Sequence, residues 1–176
     1  MFVLCAGIPS AGRPMGSTHI YYGDGKGKTT AAIGFACRAM GAGLRVLFVQ
    51  FMKDGSSSEI PELRKLGAEC RAFGRRGFMA LPAPEDLTLA QNGMDFVASR
   101  LRGFEVVVLD EALTASEMGL ITSGELLKLF GTPRELVLTG RIAPKELIEQ
   151  ADYVTEIKKI KHPYDLGQKA KRGVEF

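Results

Sequence analysis

Residues 21–30 read YYGDGKGKTT, a glycine- and lysine-rich stretch close to a known loop pattern. A phosphate-binding loop has a glycine, four residues of any type and then Gly-Lys-Ser/Thr. Residues 27–29 match the end of that pattern, but Tyr22 stands where the first glycine is expected. A strand pattern at residues 18–22 precedes the loop, and an alanine-rich helical pattern at residues 28–42 follows it. The stretch therefore predicts a shortened phosphate-binding loop between a strand and a helix.

The side chains and glycines of this loop suit a polyphosphate. Glycines allow sharp turns that direct backbone N–H groups inward, and the N-terminus of the following helix adds a positive dipole end. Lys28 is predicted to neutralise phosphate charge, Thr29 to offer its hydroxyl to Mg²⁺, and Lys26 to add a cation. The residues predicted to bind the nucleotide are Gly23, Asp24, Gly25, Lys26, Gly27, Lys28, Thr29 and Thr30. The alternative interpretation is a glycine-rich turn with solvated lysines.

Apolar, β-branched runs alternate with helical patterns along the rest of the chain. The predicted strands are residues 18–22, 45–51, 69–73, 104–109, 135–139 and 153–157. The predicted helices are residues 28–42, 59–66, 84–101, 123–130 and 143–150. This alternation with short connections predicts an α/β fold in which a mostly parallel sheet is sandwiched between helices. Residues 1–17 are predicted to be a flexible leader, and residues 18–176 a single domain.

The composition is typical of a globular domain with a sizeable core, since 45% of the 176 residues are hydrophobic. The net charge of +3 suits a polyanionic small ligand and does not by itself indicate nucleic acid. Cys5, Cys37 and Cys70 are widely spaced and predict neither a disulfide framework nor a zinc site. No apolar stretch is long enough for a bilayer. We therefore expect a cytoplasmic protein without nucleic-acid or membrane partners.

Chemically active residues follow two of the predicted strands, at the edge where ligands bind in parallel sheets. Asp110 stands where a Walker B carboxylate holds Mg²⁺, usually through water, although it could instead cap a helix. Glu111 is either a general base that activates water or a partner of the ribose or of a metal-bound water. Arg141 is predicted to reach the phosphates, with a surface arginine as the alternative. The predicted catalytic residues are Lys28, Thr29, Asp110 and Glu111, and the predicted metal ligands are Thr29 and Asp110.

The segment 158–176 is basic and shows no period. A solvated basic tail is the default interpretation of such a run. Pro163, Tyr164 and Gly167 are too specific for a disordered tail, so we expect the segment to fold back over the sheet. His162 by itself indicates little, because a lone histidine is more often structural than a ligand.

Four segments together resemble the corrinoid adenosyltransferases of the P-loop, RecA-like type. They are GDGKGKTTAAIG (residues 23–34), RVLFVQFMK (45–53), VVVLDEALTASEMGLI (106–121) and ELVLTGRIAPKELIEQADYVTEIKKIKHPYDLGQKAKRGVEF (135–176). The likeness covers nearly all of residues 20–176, in order and with matching spacing. It implies a P-loop NTPase architecture of the RecA-like type, and the same shortened loop is a feature of that family.

The resemblance implies transfer of the 5′-deoxyadenosyl group of ATP to cobalt(I) of cobalamin or a precursor corrinoid, with the whole triphosphate leaving. It also implies Mg²⁺ as cofactor, a reductase that supplies cobalt(I), and a homodimer. Because the reduced metal is the nucleophile, Glu111 would be a ribose or metal partner and no protein base is needed. The alternatives are an ATP-hydrolysing P-loop protein with Glu111 as general base and a nucleotide-responsive binding module.

Two stretches depart from the family pattern. Asp24 stands where many members have asparagine, so its charge must face the ribose, a metal-bound water or a backbone amide. Family members often have Gly-Phe-Thr-Trp in the loop that approaches the corrinoid, whereas residues 77–80 are GFMA and the chain has no tryptophan. Phe78 is the predicted corrinoid-binding residue of this loop.

Overall fold

The structure, a computed structural model, describes residues 16–75, 81–132 and 134–175. Its strands are β1 (Thr18–Tyr22), β2 (Val46–Phe51), β3 (Glu69–Phe73), β4 (Val106–Asp110), β5 (Glu135–Gly140) and β6 (Tyr153–Glu156). Its helices are α1 (Lys28–Gly41), α2 (Glu59–Lys65), α3 (Pro84–Arg100), α4 (Ala112–Glu117), α5 (Ser123–Leu127) and α6 (Lys145–Gln150). Short 3₁₀ turns occupy Leu101–Gly103 and Pro163–Leu166.

The strands form one six-stranded sheet in the order β3-β2-β4-β5-β1-β6. Every strand pair is parallel, and β1 lies between β5 and β6. This arrangement confirms the predicted α/β fold with helices around a parallel sheet and is that of a P-loop NTPase. The carboxyl ends of all strands lie at one edge, so residues that follow different strands can meet there.

Alternate residues of β2 pack on opposite faces of the sheet. Leu47, Val49 and Phe51 belong to one core cluster, together with buried residues of α3, α4, α5 and α6. Val46 and Phe48 belong to a second cluster, together with buried residues of α1 and α2. All of β2 and β4 is buried because both faces are covered, which explains the nearly continuous apolar runs in the sequence.

The structure differs from the predicted elements mainly around β4. This strand begins at Val106 rather than at residue 104 and includes Asp110 at its end. Helix α4 follows after a single residue and was not predicted, because its six residues are too few to show a helical period. Among the described helices, none has both the length and the apolar character needed to cross a bilayer. The predicted leader lies almost wholly outside the described residues.

Two helical glycines provide a matched stability test. In α3, a Cβ at Gly93 would lie 2.7 Å from Cε1 of the buried Phe51 and 3.1 Å from the Phe73 ring, whereas Gly34 in α1 has nothing within 4 Å. We expect Gly93→Ala to lower the free energy of unfolding by about 1–3 kcal/mol through overpacking. Gly34→Ala should raise it by about 0.5–1 kcal/mol, because alanine loses less backbone entropy. Urea denaturation of both variants checks this, and equal effects would contradict the packing described for α3.

Candidate active site

The glycine loop between β1 and α1 is held by backbone hydrogen bonds to two other elements. The Gly23 N–H donates to the Arg141 carbonyl oxygen at 2.9 Å, and the Gly25 N–H donates to that of Ile157 at 2.8 Å. These two N–H groups are therefore engaged by the protein and do not point inward as the sequence predicted. The glycines are required for a different reason: a Cβ at Gly23 would lie 2.4 Å from the Ile157 oxygen, and one at Gly25 would lie 2.7 Å from it.

A cavity of about 270 Å³ opens beside this loop at the carboxyl edge of the sheet. Its lining residues come from the loop and the start of α1, from the end of β4 and from the C-terminal segment. They are Asp24, Gly25, Lys26, Gly27, Lys28, Thr29, Thr30, Glu111, His162, Val174 and Glu175. Seven of the predicted nucleotide-binding residues thus line one space together with Glu111. We call this space the loop cavity.

The Lys28 side chain, at the start of α1, contacts the loop that precedes it in the sequence. Its Nζ donates a hydrogen bond of 2.7 Å to the carbonyl oxygen of Gly25. Partial burial lowers the pKa of this amine below its usual value; the Glu111 carboxylate opposes this shift, and the Arg141 charge adds to it. The amine is thus a desolvated cation bonded to a neutral carbonyl, so an anion in the loop cavity would stabilise it.

Asp110 lies at the centre of a polar network behind the cavity and is fully buried. Its Oδ1 accepts hydrogen bonds from the hydroxyls of Thr29 at 2.9 Å and Thr139 at 2.8 Å. Its Oδ2 accepts from Gln50 Nε2 at 3.2 Å and from Lys53 Nζ at 2.8 Å. The contact with Thr29 joins the two predicted metal ligands, and the four bonds fix the orientation of the carboxylate.

Lys53 is a site residue that the sequence prediction missed. It follows β2 at the same edge as Asp110, and the preceding Met52 has φ 58°, a left-handed conformation that costs free energy in a non-glycine residue. Burial lowers the pKa of the Lys53 amine, but the carboxylates around it, foremost Asp110, outweigh burial and raise it overall. Lys53 lies two residues after β2, with Met52 between them, so the rule that singled out Asp110, a charged residue directly after a predicted strand, does not cover it.

Glu111 has a constrained backbone and a constrained carboxylate. Its φ is 61°, again left-handed, and its N–H donates to Thr139 Oγ1 at 2.9 Å. Its Oε2 accepts from the Thr114 hydroxyl at 2.6 Å, and the same hydroxyl oxygen accepts the Arg141 N–H at 3.1 Å. The unpredicted helix α4 thus supplies Thr114, which fixes Glu111 at the wall of the loop cavity.

The remaining predicted residues lie in different places. Asp24 accepts the Lys159 backbone N–H at 3.0 Å, which lowers the pKa of its carboxyl, so of the three expected roles it faces a backbone amide. Arg141 contacts the loop through its main chain and is exposed; among the described residues it does not line the loop cavity. Its reach to the phosphates stays a prediction. Phe78 lies outside the described residues.

The C-terminal segment returns to the loop rather than covering the sheet. His162, Val174 and Glu175 line the loop cavity, and most of the other residues after β6 are exposed. The Lys159 amine pairs with Asp165 Oδ1 at 2.8 Å within the segment. The segment therefore contacts the nucleotide loop and is not a solvated tail. We expected it to fold back over the sheet, and its contacts are instead with the loop.

The donor set at the cavity suits Mg²⁺ better than a metal held by protein ligands alone. Within the described ranges, no group of three or more histidine, cysteine or acidic side chains could hold a metal ion. Mg²⁺ usually keeps several waters and takes one or two protein oxygens plus substrate phosphates. The Thr29 hydroxyl donates its hydrogen to Asp110, so its lone pairs are available to a cation. Both Asp110 oxygens already accept two hydrogen bonds, so Asp110 would act through water.

Comparisons with known proteins agree on one family. The family model described as ATP:corrinoid adenosyltransferase BtuR/CobO/CobP matches residues 14–176. A corrinoid adenosyltransferase of Pseudomonas aeruginosa is 35% identical over an alignment of 167 positions, which covers 89% of this chain and 82% of the relative. Corrinoid adenosyltransferase CobA of Salmonella typhimurium is 30% identical over an alignment of 180 positions, which covers 97% of this chain and 91% of the relative. The uncharacterized protein all2391 of Nostoc sp. is 33% identical to this chain. The alignment covers 86% of this chain and 46% of that longer relative.

Proposed function

Because the chain belongs to the ATP:corrinoid adenosyltransferase family, we propose that it transfers the 5′-deoxyadenosyl group of ATP to cobalt(I) of a corrinoid. The acceptor is cobalamin or a precursor, in adenosylcobalamin synthesis or salvage. The observation that carries this proposal is the partly buried Lys28 amine, which is bonded to a neutral carbonyl beside the loop cavity. Such a cation is suited to three phosphate groups that depart together.

The reaction breaks the bond between the ribose 5′ carbon and its oxygen. The electron pair of cobalt(I) forms the cobalt–carbon bond, and the triphosphate leaves with the electrons of the broken bond. Lys28 and Lys26 stabilise the negative charge of this leaving group, and electrostatic stabilisation of that kind is usually the largest catalytic term. Mg²⁺, when bound, supplies further charge neutralisation, with Thr29 as a ligand and Asp110 orienting its water. Glu111 contacts the ribose or a metal-bound water.

Glu111 has a different role in the two reactions. A hydrolase needs a residue that positions water against the terminal phosphorus, and Glu111, whose Oε2 accepts the Thr114 hydroxyl at 2.6 Å, would have to do this with its other oxygen. A transferase whose nucleophile is the substrate's own metal needs no such base. We further propose a reductase that supplies cobalt(I), a homodimer and a cytoplasmic location.

The two reactions give different products, so a product assay tests the proposal. With Mg-ATP alone, we expect almost no ADP. With a corrinoid and a strong reductant under anaerobic conditions, we expect a light-sensitive cobalt–carbon product and tripolyphosphate in equal amounts. Chromatography of the nucleotides and the visible spectrum of the corrinoid measure both. Steady ADP release without corrinoid would show an ATPase instead, and an unchanged corrinoid spectrum would contradict adenosyl transfer.

A further inference from the structure

The C-terminal segment is attached to the phosphate loop at two points. The Gly25 N–H donates to the Ile157 oxygen, and the Lys159 N–H donates to Asp24 Oδ1 at 3.0 Å. The Lys159 amine then pairs with Asp165, which lies in the 3₁₀ turn Pro163–Leu166. These contacts position that turn, and the residue that precedes it, relative to the loop cavity.

His162 is the half-buried residue at the start of this turn, and it lines the loop cavity. Its Nδ1 accepts the backbone N–H of Tyr164 at 3.1 Å. In a neutral imidazole one ring nitrogen accepts and the other carries the proton, so this contact places the proton on Nε2. Within the described part of the chain, Nε2 has no hydrogen-bond partner, so His162 offers an unused donor beside the loop.

The chemistry around His162 selects the ligand group that this donor would meet. The lining includes Lys26, Lys28 and the hydroxyl of Thr29, which favour an anion, and also three carboxylates, Asp24, Glu111 and Glu175. Each carboxylate accepts a hydrogen bond from the protein: Asp24 from the Lys159 N–H, Glu111 from the Thr114 hydroxyl and Glu175 from the Lys171 N–H. The donors of the two lysines, Thr29 and His162 are therefore the groups that would meet an anionic ligand.

We propose that His162 is a phosphate-binding residue, whose Nε2–H donates to the triphosphate of the bound nucleotide, and that the Asp24–Lys159 bond positions it. The inference rests on the proposed function, in which that triphosphate is the leaving group. It assigns Asp24 a positioning role, since its carboxylate bonds the backbone of the segment. The segment then forms one wall of the nucleotide site.

Two substitutions test the hydrogen-bonding roles of the two ring nitrogens separately. In His162→Asn, the side-chain oxygen can still accept the Tyr164 N–H, but the donor at the Nε2 position is lost. In His162→Gln, the longer amide can still reach the Nε2 position as a donor. Isothermal titration with inorganic tripolyphosphate and with ATP should show at least tenfold weaker binding for His162→Asn, as for a lost hydrogen bond to a charged group. His162→Gln should recover most of the affinity, and Tyr164→Phe, in the same exposed turn, should bind normally.

Asp24→Ala tests the positioning role, because the two possible effects of this substitution change the affinity for tripolyphosphate in opposite directions. Removing a negative charge beside the phosphates would by itself strengthen tripolyphosphate binding, whereas loss of the Lys159 contact should weaken it several-fold. Tighter tripolyphosphate binding in Asp24→Ala would overturn the positioning role of Asp24. Unchanged binding in His162→Asn would overturn the phosphate contact of His162. Neither result would contradict adenosyl transfer by the wild type. Conversely, loss of affinity in His162→Asn without any adenosyl transfer by the wild type would support the contact and overturn the proposed function.

Discussion

Lys28→Ala is expected to lower the rate of adenosyl transfer by about 10²–10³-fold, the usual cost of one electrostatic contact to a charge that develops in the transition state. The reason is that the Lys28 amine is partly buried beside the loop cavity, and its removal takes away a positive charge where the leaving triphosphate would lie. The fold should persist, because the side chain bonds to a carbonyl of its own loop and not to the core. Anaerobic turnover together with circular dichroism measures both effects.

Thr29→Ala is the companion variant, and Lys65→Ala is the control. Thr29 contacts Asp110 and lines the loop cavity, so its loss should also reduce turnover strongly. Lys65 is exposed in α2 and pairs with Glu62 at the surface, so its removal should change neither rate nor fold. Turnover near the wild-type level in both Lys28→Ala and Thr29→Ala would contradict the assignment of the phosphate loop.

Lys53→Met is expected to lower the free energy of unfolding by about 3 kcal/mol, because the substitution leaves the buried Asp110 carboxylate without a countercharge. This value is at the lower end of the usual cost of breaking a buried ion pair, about 3–5 kcal/mol. Asp110 is fully buried and Lys53 is mostly so, with 27% of its side chain exposed. The partial exposure of the lysine places the expected value at that lower end. Urea denaturation, monitored by circular dichroism, gives the difference.

Two further variants isolate the charge as the cause. Lys145→Met removes an amine that is 86% exposed and pairs loosely with Glu149, so it should cost less than about 1 kcal/mol. Adding Asp110→Asn to Lys53→Met removes the unpaired charge and should restore part of the stability. Equal losses in Lys53→Met and Lys145→Met would show that the Lys53–Asp110 pair does not stabilise the fold.

The sheet could be predicted because its central strands are buried on both faces. The runs RVLFVQF and FEVVVL are apolar at nearly every position, and only a strand covered on both sides has that pattern. Helix α4 could not be predicted, because a left-handed Glu111 starts it directly after β4 and its six residues carry no period. Because α4 was not predicted, Thr114 was not predicted as a site residue either, although its hydroxyl orients Glu111.

The site was predictable where a motif or a strand end marked it. The loop residues and Asp110 followed from these signals, and the structure places Thr29 and Asp110 in contact. Gln50 and Thr139 lie inside apolar strands, where sequence alone does not show that their polar atoms meet at Asp110. The glycines at 23 and 25 were ascribed to sharp turns that direct N–H groups at phosphate, because the approach of Ile157 is a long-range contact without a local signal.

The return of the C-terminal segment to the phosphate loop has a consequence for protein synthesis. The loop emerges from the ribosome before its partners, because β1 is paired by β5 and β6, and one wall of the cavity comes from His162, Val174 and Glu175. Contacts so distant along the chain form late, after their loop-closure entropy has been overcome. A nascent chain therefore exposes its lysine-rich loop without the wall that completes it. The nucleotide site that we propose is therefore complete only when residues 153–175 have been translated, and a product truncated before them would lack one wall of it.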